Sequence, residues 1–496
     1  MPTFSSGGPA APDPGGCDLE ILTPTSFNPN PFARRAAKLD KRVVFRVDAA
    51  KPERGRGLFA TKDVPEGTEV MRVRAVGTVA LRVRSAGVCC RCFVQQKRSA
   101  RLKTCRGCGL SFCTDCAKAF LNNSAHKAAC DFSAGVVRLC SRNGGVEHDE
   151  AVLRLVADIF VRKEAGLIDE EEWNLLGSLE SGGNESGTIG LSLSLLKDSV
   201  RLFRETLRIE VSEGGLQTMY RRVTRNLHAI SPVFDDIGSG VTTAQALFPC
   251  GALVNHSCQP NALFHCRSRP LSTDGPVVEH VLRTVSPVKA GEELCVSYIT
   301  DFATASISER RRLLQGWGFW CACSRCKNEE REAQEERREK RARPGDTKAL
   351  SCIRNMEKTL QLYARDGAGD IGVKQLDQLR EAIQFFAEEG ERITPTLRRR
   401  LVMSAMHLTL LMDGEADVSR FVALQAAGDE LMELKDPGMI DLRYKLYKEA
   451  LGLREVEPFF EESARRALED AVAMSKLMYG KQHPRSRELT REFDKL

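Results

Sequence analysis

Four closely spaced ligand pairs stand in one short stretch: Cys89-x2-Cys92, Cys105-x2-Cys108, Cys113-x2-Cys116 and His126-x3-Cys130. They supply eight ligands within about forty residues, the number that two tetrahedral structural zinc ions require. A short gap turns both side chains of a pair toward one ion, and a segment too small to bury a core gains its fold from the metal. Cys90 is a rival to Cys89 for the first position. A second constellation joins Cys258 with Cys321-x-Cys323-x2-Cys326, four thiolates that would close a third zinc site. Such an ion would pin the later segment against the loop Asn255-His256-Ser257-Cys258 and build a pocket from distant pieces of chain. Out of context, the lesser alternative is an isolated three-cysteine site at the Cys321 group, completed by Cys352 or by water.

Other residues could do chemistry only in company. Gly55-Arg56-Gly57 permits close approach of backbone to a ligand, yet alone it is an ordinary turn. Asn255-His256 offers hydrogen-bonding groups in a loop next to Cys258, and by itself is a polar turn. Tyr298 ends a strand-like run, where half-buried packing is the default for a tyrosine.

The chain that must position these residues has 496 residues, long enough for several domains. Its hydrophobic fraction of 42% and charged fraction of 28% are globular, so the 18 cysteines are the outlier. No apolar run is long enough to cross a bilayer and residues 1–16 lack a signal-peptide core, so the expected location is the nucleus, the cytoplasm or both, without a membrane. In a reducing compartment, clustered cysteines favour metal over disulfides. A net charge of +6 with both signs interspersed does not indicate nucleic acid. Lys97, Arg98, Arg101, Lys103 and Arg106 could touch phosphate but read first as surface solubility.

Alternation and β-branched content predict strands at Val43–Val47, after Gly55-Arg56-Gly57, along Glu69–Val83, at Leu263-Phe264-His265, over Val277–Arg283 and over Glu293–Tyr298. Apolar residues recur at helical spacing between about Asp149 and Arg225, interrupted at Ser181-Gly182-Gly183-Asn184. His126 opens a helix that closes the cysteine cluster. Asn328–Arg343 is nearly all charged and reads as a solvated linker helix. Amphipathic helices follow from Leu350 to Leu496, with turns at Asp366-Gly367, Asp413-Gly414 and Asp436-Pro437-Gly438.

Four ordered segments together resemble the SET methyltransferases: Gly55–Ala60, Leu253–Asn261, Gly291–Tyr298 and the Cys321 group. With a cysteine cluster resembling a MYND finger inserted between them and helices after them, the arrangement resembles the SMYD family of protein lysine methyltransferases. The likeness covers Arg42 to Cys326 well. The C-terminal part matches more weakly, through its helices and Tyr479-Gly480-Lys481-Gln482-His483-Pro484, similar to a tetratricopeptide-like turn.

The resemblance implies an α+β fold: a SET-domain β-fold with an inserted MYND zinc finger, a helical insert, a zinc-bound post-SET segment and an all-α tetratricopeptide-like C-terminal domain. It divides the chain into a disordered tail (1–40), SET N-terminal part (41–88), MYND finger (89–130), helical SET insert (131–225), SET core (226–300), post-SET (301–326), charged linker (327–349) and helical C-terminal domain (350–496). It pairs Cys89, Cys92, Cys113 and Cys116 at one ion, Cys105, Cys108, His126 and Cys130 at a second, and leaves Cys258, Cys321, Cys323 and Cys326 for the third. The family usually has three residues inside its third finger pair, where Cys113 and Cys116 enclose two.

By the same resemblance S-adenosylmethionine is the cofactor, held by Gly55, Arg56, Gly57, Asn226, Asn255, His256, Tyr298 and Phe319, with Arg56 on its carboxylate and Phe319 on adenine. Tyr298 is the catalytic residue and lines the substrate channel with His228 and Trp317. Many relatives have phenylalanine and tyrosine at those last two positions, and these departures bear on substrate choice, on the number of methyl groups transferred and on activity itself. They motivate the alternative of a catalytically silent SET-MYND adaptor or transcriptional co-regulator. The expected partner is a histone or non-histone protein presenting a lysine, with further proteins docking on the MYND finger and C-terminal helices. A monomer is expected.

Overall fold

The fold is described from a computed structural model, which describes residues 29, 38–48, 55–82, 87–93, 102–121, 124–182, 190–230, 244–272, 275–299, 305–338, 343–366, 373–412, 415–431 and 435–496. The expected tail apart from 29 and 38–40, residues 183–184 of the 181–184 loop, Lys97, Arg98, Arg101, and 367 and 413–414 of the expected turns lie outside those residues.

Strands β1 (Val43–Val47) and β2 (Arg56–Ala60) pair antiparallel with Phe45 opposite Leu58, and β11 (Glu293–Leu294) pairs on the far side of β2. Held between two neighbours, β2 is buried along its whole length. The strand expected over 293–298 is regular only at β11, because from Cys295 the chain turns its hydrogen bonds toward the Asn255 loop. A second sheet orders β3 (Glu69–Arg74), β10 (Gly275–Thr284) and β9 (Ala262–Ser272), with His280 facing Val73 on one side and Cys266 on the other. A third orders β4 (Gly77–Ala80), β8 (Ala244–Leu247) and β7 (Leu227–Ile230). The small hairpin β5 (Lys103–Thr104) and β6 (Ser111–Phe112) lies between the finger's cysteines.

Helix α1 (Thr114–Phe120) opens on Cys113, and α2 (Ser124–Asn143) starts just before His126. It runs on past Cys130, so one helix joins the finger to the helices that follow: α3 (Glu147–Glu164), α4 (Glu170–Gly177), α5 (Leu193–Leu202) and α6 (Glu213–Asn226). Side-chain oxygens cap three of them: Asp169 accepts from the Glu172 N–H, Ser192 from Leu195 and Ser212 from Gly215. The buried stripe of α3, from Ala151 to Phe160, packs on β4, so the helical stretch shares one core with the sheets.

Helix α7 (Ile307–Leu314) leads to the Cys321 group. Then follow α8 (Ser324–Arg338), α9 (Asp346–Asp366), α10 (Val373–Glu389), α11 (Pro395–Leu410), α12 (Val418–Glu430), α13 (Gly438–Leu453), α14 (Pro458–Tyr479) and α15 (Pro484–Phe493), with no strand among the described residues after 350. The two faces of sheet β3-β10-β9 serve different cores. Phe264, His280 and Leu282 face the β-rich core with Phe248, whereas Leu263 and Val285 join the C-terminal core with Met478 and Leu489. His265 sets its ring edge-on against Tyr479 and His483, each at 5.8 Å. No helix of the described residues is long and apolar enough to cross a membrane.

Candidate functional site

All twelve expected metal ligands gather into three groups: Cys89, Cys92, Cys113 and Cys116; Cys105, Cys108, His126 and Cys130; and Cys258, Cys321, Cys323 and Cys326. Within each group the ligand atoms lie within 4.8 Å of one another. A tetrahedral zinc with bonds of about 2.3 Å places its sulfurs roughly 3.8 Å apart. Cys92 and Cys113 are at 3.9 Å and Cys105 and Cys130 at 3.6 Å, so the donor sets fit zinc in chemistry and in spacing. Cys89, fully buried, takes the place its neighbour Cys90 rivals, and Cys352 belongs to the C-terminal core. His126 and Cys130 present one face because they stand four residues apart on α2. Hydrogen bonding from Cys92, outweighing burial, holds the Cys89 thiol down at about 5, a poise that suits a thiolate ligand.

Arg82 docks the finger on the rest of the protein. It donates to the Cys108 carbonyl at 2.7 Å and pairs with Glu150 at 3.5 Å, while Arg154 meets the same carboxylate at 3.2 Å.

The third group ties the post-SET segment to the Asn255 loop, and protein bonds reinforce the tie. Arg325 donates to the Cys258 carbonyl at 3.2 Å and Ser324 to Gln259 Oε1 at 2.9 Å. Arg310, the largest fully buried side chain, reaches Cys326 Sγ at 3.6 Å and Glu329 at 2.8 Å. Burial disfavours its charge, and the bonds to Glu329 and Cys326 outweigh that and raise its pKa. Glu329 also meets Arg325 at 2.8 Å and Arg399 of α11 at 3.7 Å. The charged run expected to be solvated is therefore docked along its first turns.

Around this clamp the chain crosses itself. The Val296 N–H donates to the Asn255 carbonyl and the Ser257 N–H to the Val296 carbonyl, each at 2.9 Å. Tyr298 is thereby fixed beside the loop: its N–H donates to His256 Nδ1 at 3.0 Å and its hydroxyl to the Val254 carbonyl at 2.8 Å. Its ring lies 5.6 Å from Trp317, 6.2 Å from Phe319 and 5.3 Å from His256. Asn255 donates to the Arg56 carbonyl at 3.2 Å and to Glu293 at 2.7 Å. Gly57 makes that approach possible, since a Cβ there would stand 2.4 Å from Glu293 Oε1 and 3.0 Å from Asn255 Nδ2. Gly55 has φ +69° and nothing within 4 Å of where its Cβ would point. Half-buried Phe319 sets its ring 5.8 Å from that of His256.

The remaining candidates are placed differently. Arg56 is buried, and its guanidinium donates to the Ser178 carbonyl at 2.8 Å and hydroxyl at 3.0 Å. Asn226 donates to the Glu180 carbonyl at 2.8 Å, so the turn after α4 gathers both. Arg225 donates to the Trp317 carbonyl at 3.3 Å, bringing the end of α6 to the post-SET turn. His228 sits in a ring cluster, 4.9 Å from His280, 5.5 Å from Phe248 and 5.7 Å from Phe264. Burial brings it down to about 4. Sequence reasoning missed Ser178, Glu180, Glu293 and Arg310; of these only Glu293, inside the quoted Gly291–Tyr298 segment, carried a local signal.

Residues 55–299 match the SET domain family model. Histone-lysine N-methyltransferase SMYD3 of Homo sapiens is 24% identical over 293 residues, 57% of this chain and 62% of that protein. Histone-lysine N-methyltransferase SMYD1 of Homo sapiens is 28% identical over 304 residues, 55% and 54% of the two chains. N-lysine methyltransferase SMYD2-A of Xenopus laevis is 25% identical over 303 residues, 57% and 60%. The chain thus spans a little over half the length of these relatives. A crystal structure of the SET domain of LSMT bound to lysine and AdoHcy aligns over 92% of this chain and 87% of that one, at 12% identity and a TM-score of 0.29, too slight a likeness to bear on the site. The β-rich core and its crossed segments are those of a SET-domain protein. With its eight-ligand finger set between the first strands and the Asn255 loop, the chain is similar to these SMYD proteins over that shared length.

Proposed function

We propose that the chain is an S-adenosylmethionine-dependent protein-lysine N-methyltransferase with three structural zinc ions. The observation that carries this reading is the Cys258–Cys321–Cys323–Cys326 group, which sets Phe319, Trp317 and Tyr298 in ring contact around the Asn255 loop. S-adenosylmethionine, when bound, supplies a methyl group already activated on a sulfonium sulfur.

What remains for the protein is alignment and exclusion of water. The Asn255 loop and the Gly55–Gly57 backbone would hold the cofactor, Phe319 would pack on its adenine, and Tyr298, its hydroxyl fixed on Val254, would face the incoming amine. The substrate lysine arrives neutral, its ammonium form disfavoured beside a positive sulfonium in an aromatic channel. With the cofactor bound, the nitrogen lone pair would take up the methyl carbon while the S–C bonding electrons passed to sulfur, and the extra proton would leave the nitrogen to water. Arg56, engaged by Ser178, contributes through its main chain rather than as a carboxylate ligand. The substrates are lysines of histone or non-histone proteins in the nucleus or cytoplasm, and the finger and C-terminal helices recruit them.

The test incubates the protein with labelled S-adenosylmethionine and a lysate depleted of methylation, beside Tyr298→Phe. Wild type labels protein lysines and the variant labels them at least tenfold more slowly. Equal labelling would remove Tyr298 from the reaction, and failure of wild type to bind S-adenosylmethionine in calorimetry would favour a silent adaptor.

A further inference from the structure

His256 is buried, and both of its ring nitrogens are engaged. Nδ1 faces the backbone N–H of Tyr298 at 3.0 Å. A backbone N–H can only donate, so Nδ1 presents its lone pair and the ring proton sits on Nε2. Nε2 in turn lies 3.2 Å from Cys258 Sγ, which as a zinc-bound thiolate is an acceptor. Hydrogen-bond directions along the path are therefore consistent from end to end: sulfur accepts from Nε2–H, and Nδ1 accepts from Tyr298 N–H. Neither nitrogen remains for S-adenosylmethionine, so the ring does different work from that expected of a cofactor ligand.

We infer that His256 is a positioning residue that couples the post-SET zinc to Tyr298: the Cys258 thiolate fixes the imidazole, and the imidazole fixes the backbone of the tyrosine. The inference deepens the methyltransferase reading and rests on it for the role of Tyr298. Two features make the coupling direct. Cys258 is two residues from His256 in the same loop, so movement of the sulfur moves the ring. His256 restrains Tyr298 at its backbone N–H and Val254 at its hydroxyl, so loss of the imidazole removes the restraint at the backbone end. Emptying the metal site replaces a charge-assisted bond at Cys258 by a weaker one to a thiol. Tyr298 then loses registration even where the hydrophobic contacts of the segment persist.

Two substitutions separate the halves of the relay. His256→Asn keeps an acceptor near the Nδ1 position but cannot reach the sulfur, whereas His256→Gln carries an amide N–H toward Cys258 and removes the acceptor. Full-length protein would be loaded with cadmium-113 and its resonances recorded, then methyl transfer from S-adenosylmethionine to lysate proteins measured on the zinc form. Asn should shift one four-sulfur resonance and leave both finger resonances in place. Gln should leave all three near their wild-type positions while kcat falls about tenfold and KM for S-adenosylmethionine stays within about twofold, ~1.4 kcal/mol of lost transition-state alignment. An unmoved cadmium spectrum in the Asn variant overturns the inference. So does a tenfold rise in KM with unchanged kcat in the Gln variant, which would make the ring a cofactor ligand. Movement of all three resonances in both variants overturns it too, by reducing His256 to a folding requirement. Should wild type transfer no methyl group, the enzymatic reading fails, and the cadmium spectra still decide whether His256 is bonded to the metal site.

Discussion

Acid stability should depend on one pair of packed imidazoles. His280 is stacked between Phe264 at 4.3 Å and Phe248 at 4.4 Å, and His228 sets its ring edge-on to all three. Nδ1 of each histidine is sealed from water with no hydrogen-bond partner. Burial lowers His228 from its ordinary 6.5 to about 4, and lowers His280 well below its ordinary value, with repulsion from His228 and His265 adding to it. The sign follows from which state binds the proton first. On acidification the unfolded chain protonates from about 6.5 while the folded ring stays neutral, so the stability tied to neutral His228 is complete above 6.5 and is lost as pH falls toward 4. At about 1.36 kcal/mol per pH unit the whole window amounts to ~3.4 kcal/mol, of which about 2 kcal/mol would be gone at pH 5.

His228→Phe keeps an aromatic ring against Phe248 and Phe264 and has no proton to take up. Relative to wild type it should gain about 2 kcal/mol on moving from pH 8 to pH 5, whatever offset the larger ring introduces at both. Urea unfolding of both proteins at the two pH values measures this, and the protonation of zinc ligands cancels in the difference. A difference between the two proteins that is the same at pH 5 and pH 8 would refute the reasoning.

Gly57→Ala places a methyl group 2.4 Å from Glu293 Oε1 and should spread the Asn255–Glu293 contact, lowering S-adenosylmethionine affinity about tenfold in calorimetry with zinc content unchanged. Arg310→Met leaves Glu329 without its most deeply buried partner and Cys326 without a donor, a loss on the order of 3–5 kcal/mol for a broken buried pair. One zinc of the three should then pass faster to a colorimetric chelator, with Arg310→Lys between the variant and wild type. Unchanged release in Arg310→Met would separate the arginine from the metal site.

The legibility of this chain follows the range of the interactions. Ligand pairs two or three residues apart announce themselves locally, and so do the alternation of Val43 and Phe45 and the helical periodicity after Leu350. Strands β7 and β8 did not stand out, because each is four residues long and interrupted by a polar residue, His228 or Gln245. β8 pairs with β4, far back in the chain, and β7 pairs with β8, and only that pairing makes them strands. Arg56 looked like a ligand because nothing nearby in sequence reveals Ser178, 122 residues away. Glu329 looked solvated because a run of alternating charges does not disclose which turn is docked by Arg310 and Arg399.

The same distinction explains why metal stands where apolar packing would otherwise do the holding. Among the described residues the small cluster around Cys258 has Ile299, Leu314, Cys321 and Cys326 as its other buried members, with Cys323, Tyr298, Trp317 and Phe319 partly exposed at its edge, and neighbouring Trp320 is 65% exposed. An aromatic segment left partly exposed is not fixed by burying its rings. Four thiolates, the Arg310–Glu329–Arg325 network and the His256 bonds supply directional restraints that leave the aromatic faces free. Rigidity at Tyr298 is thus decoupled from hydrophobic burial, and the cost is that it depends on an ion the chain must acquire and keep.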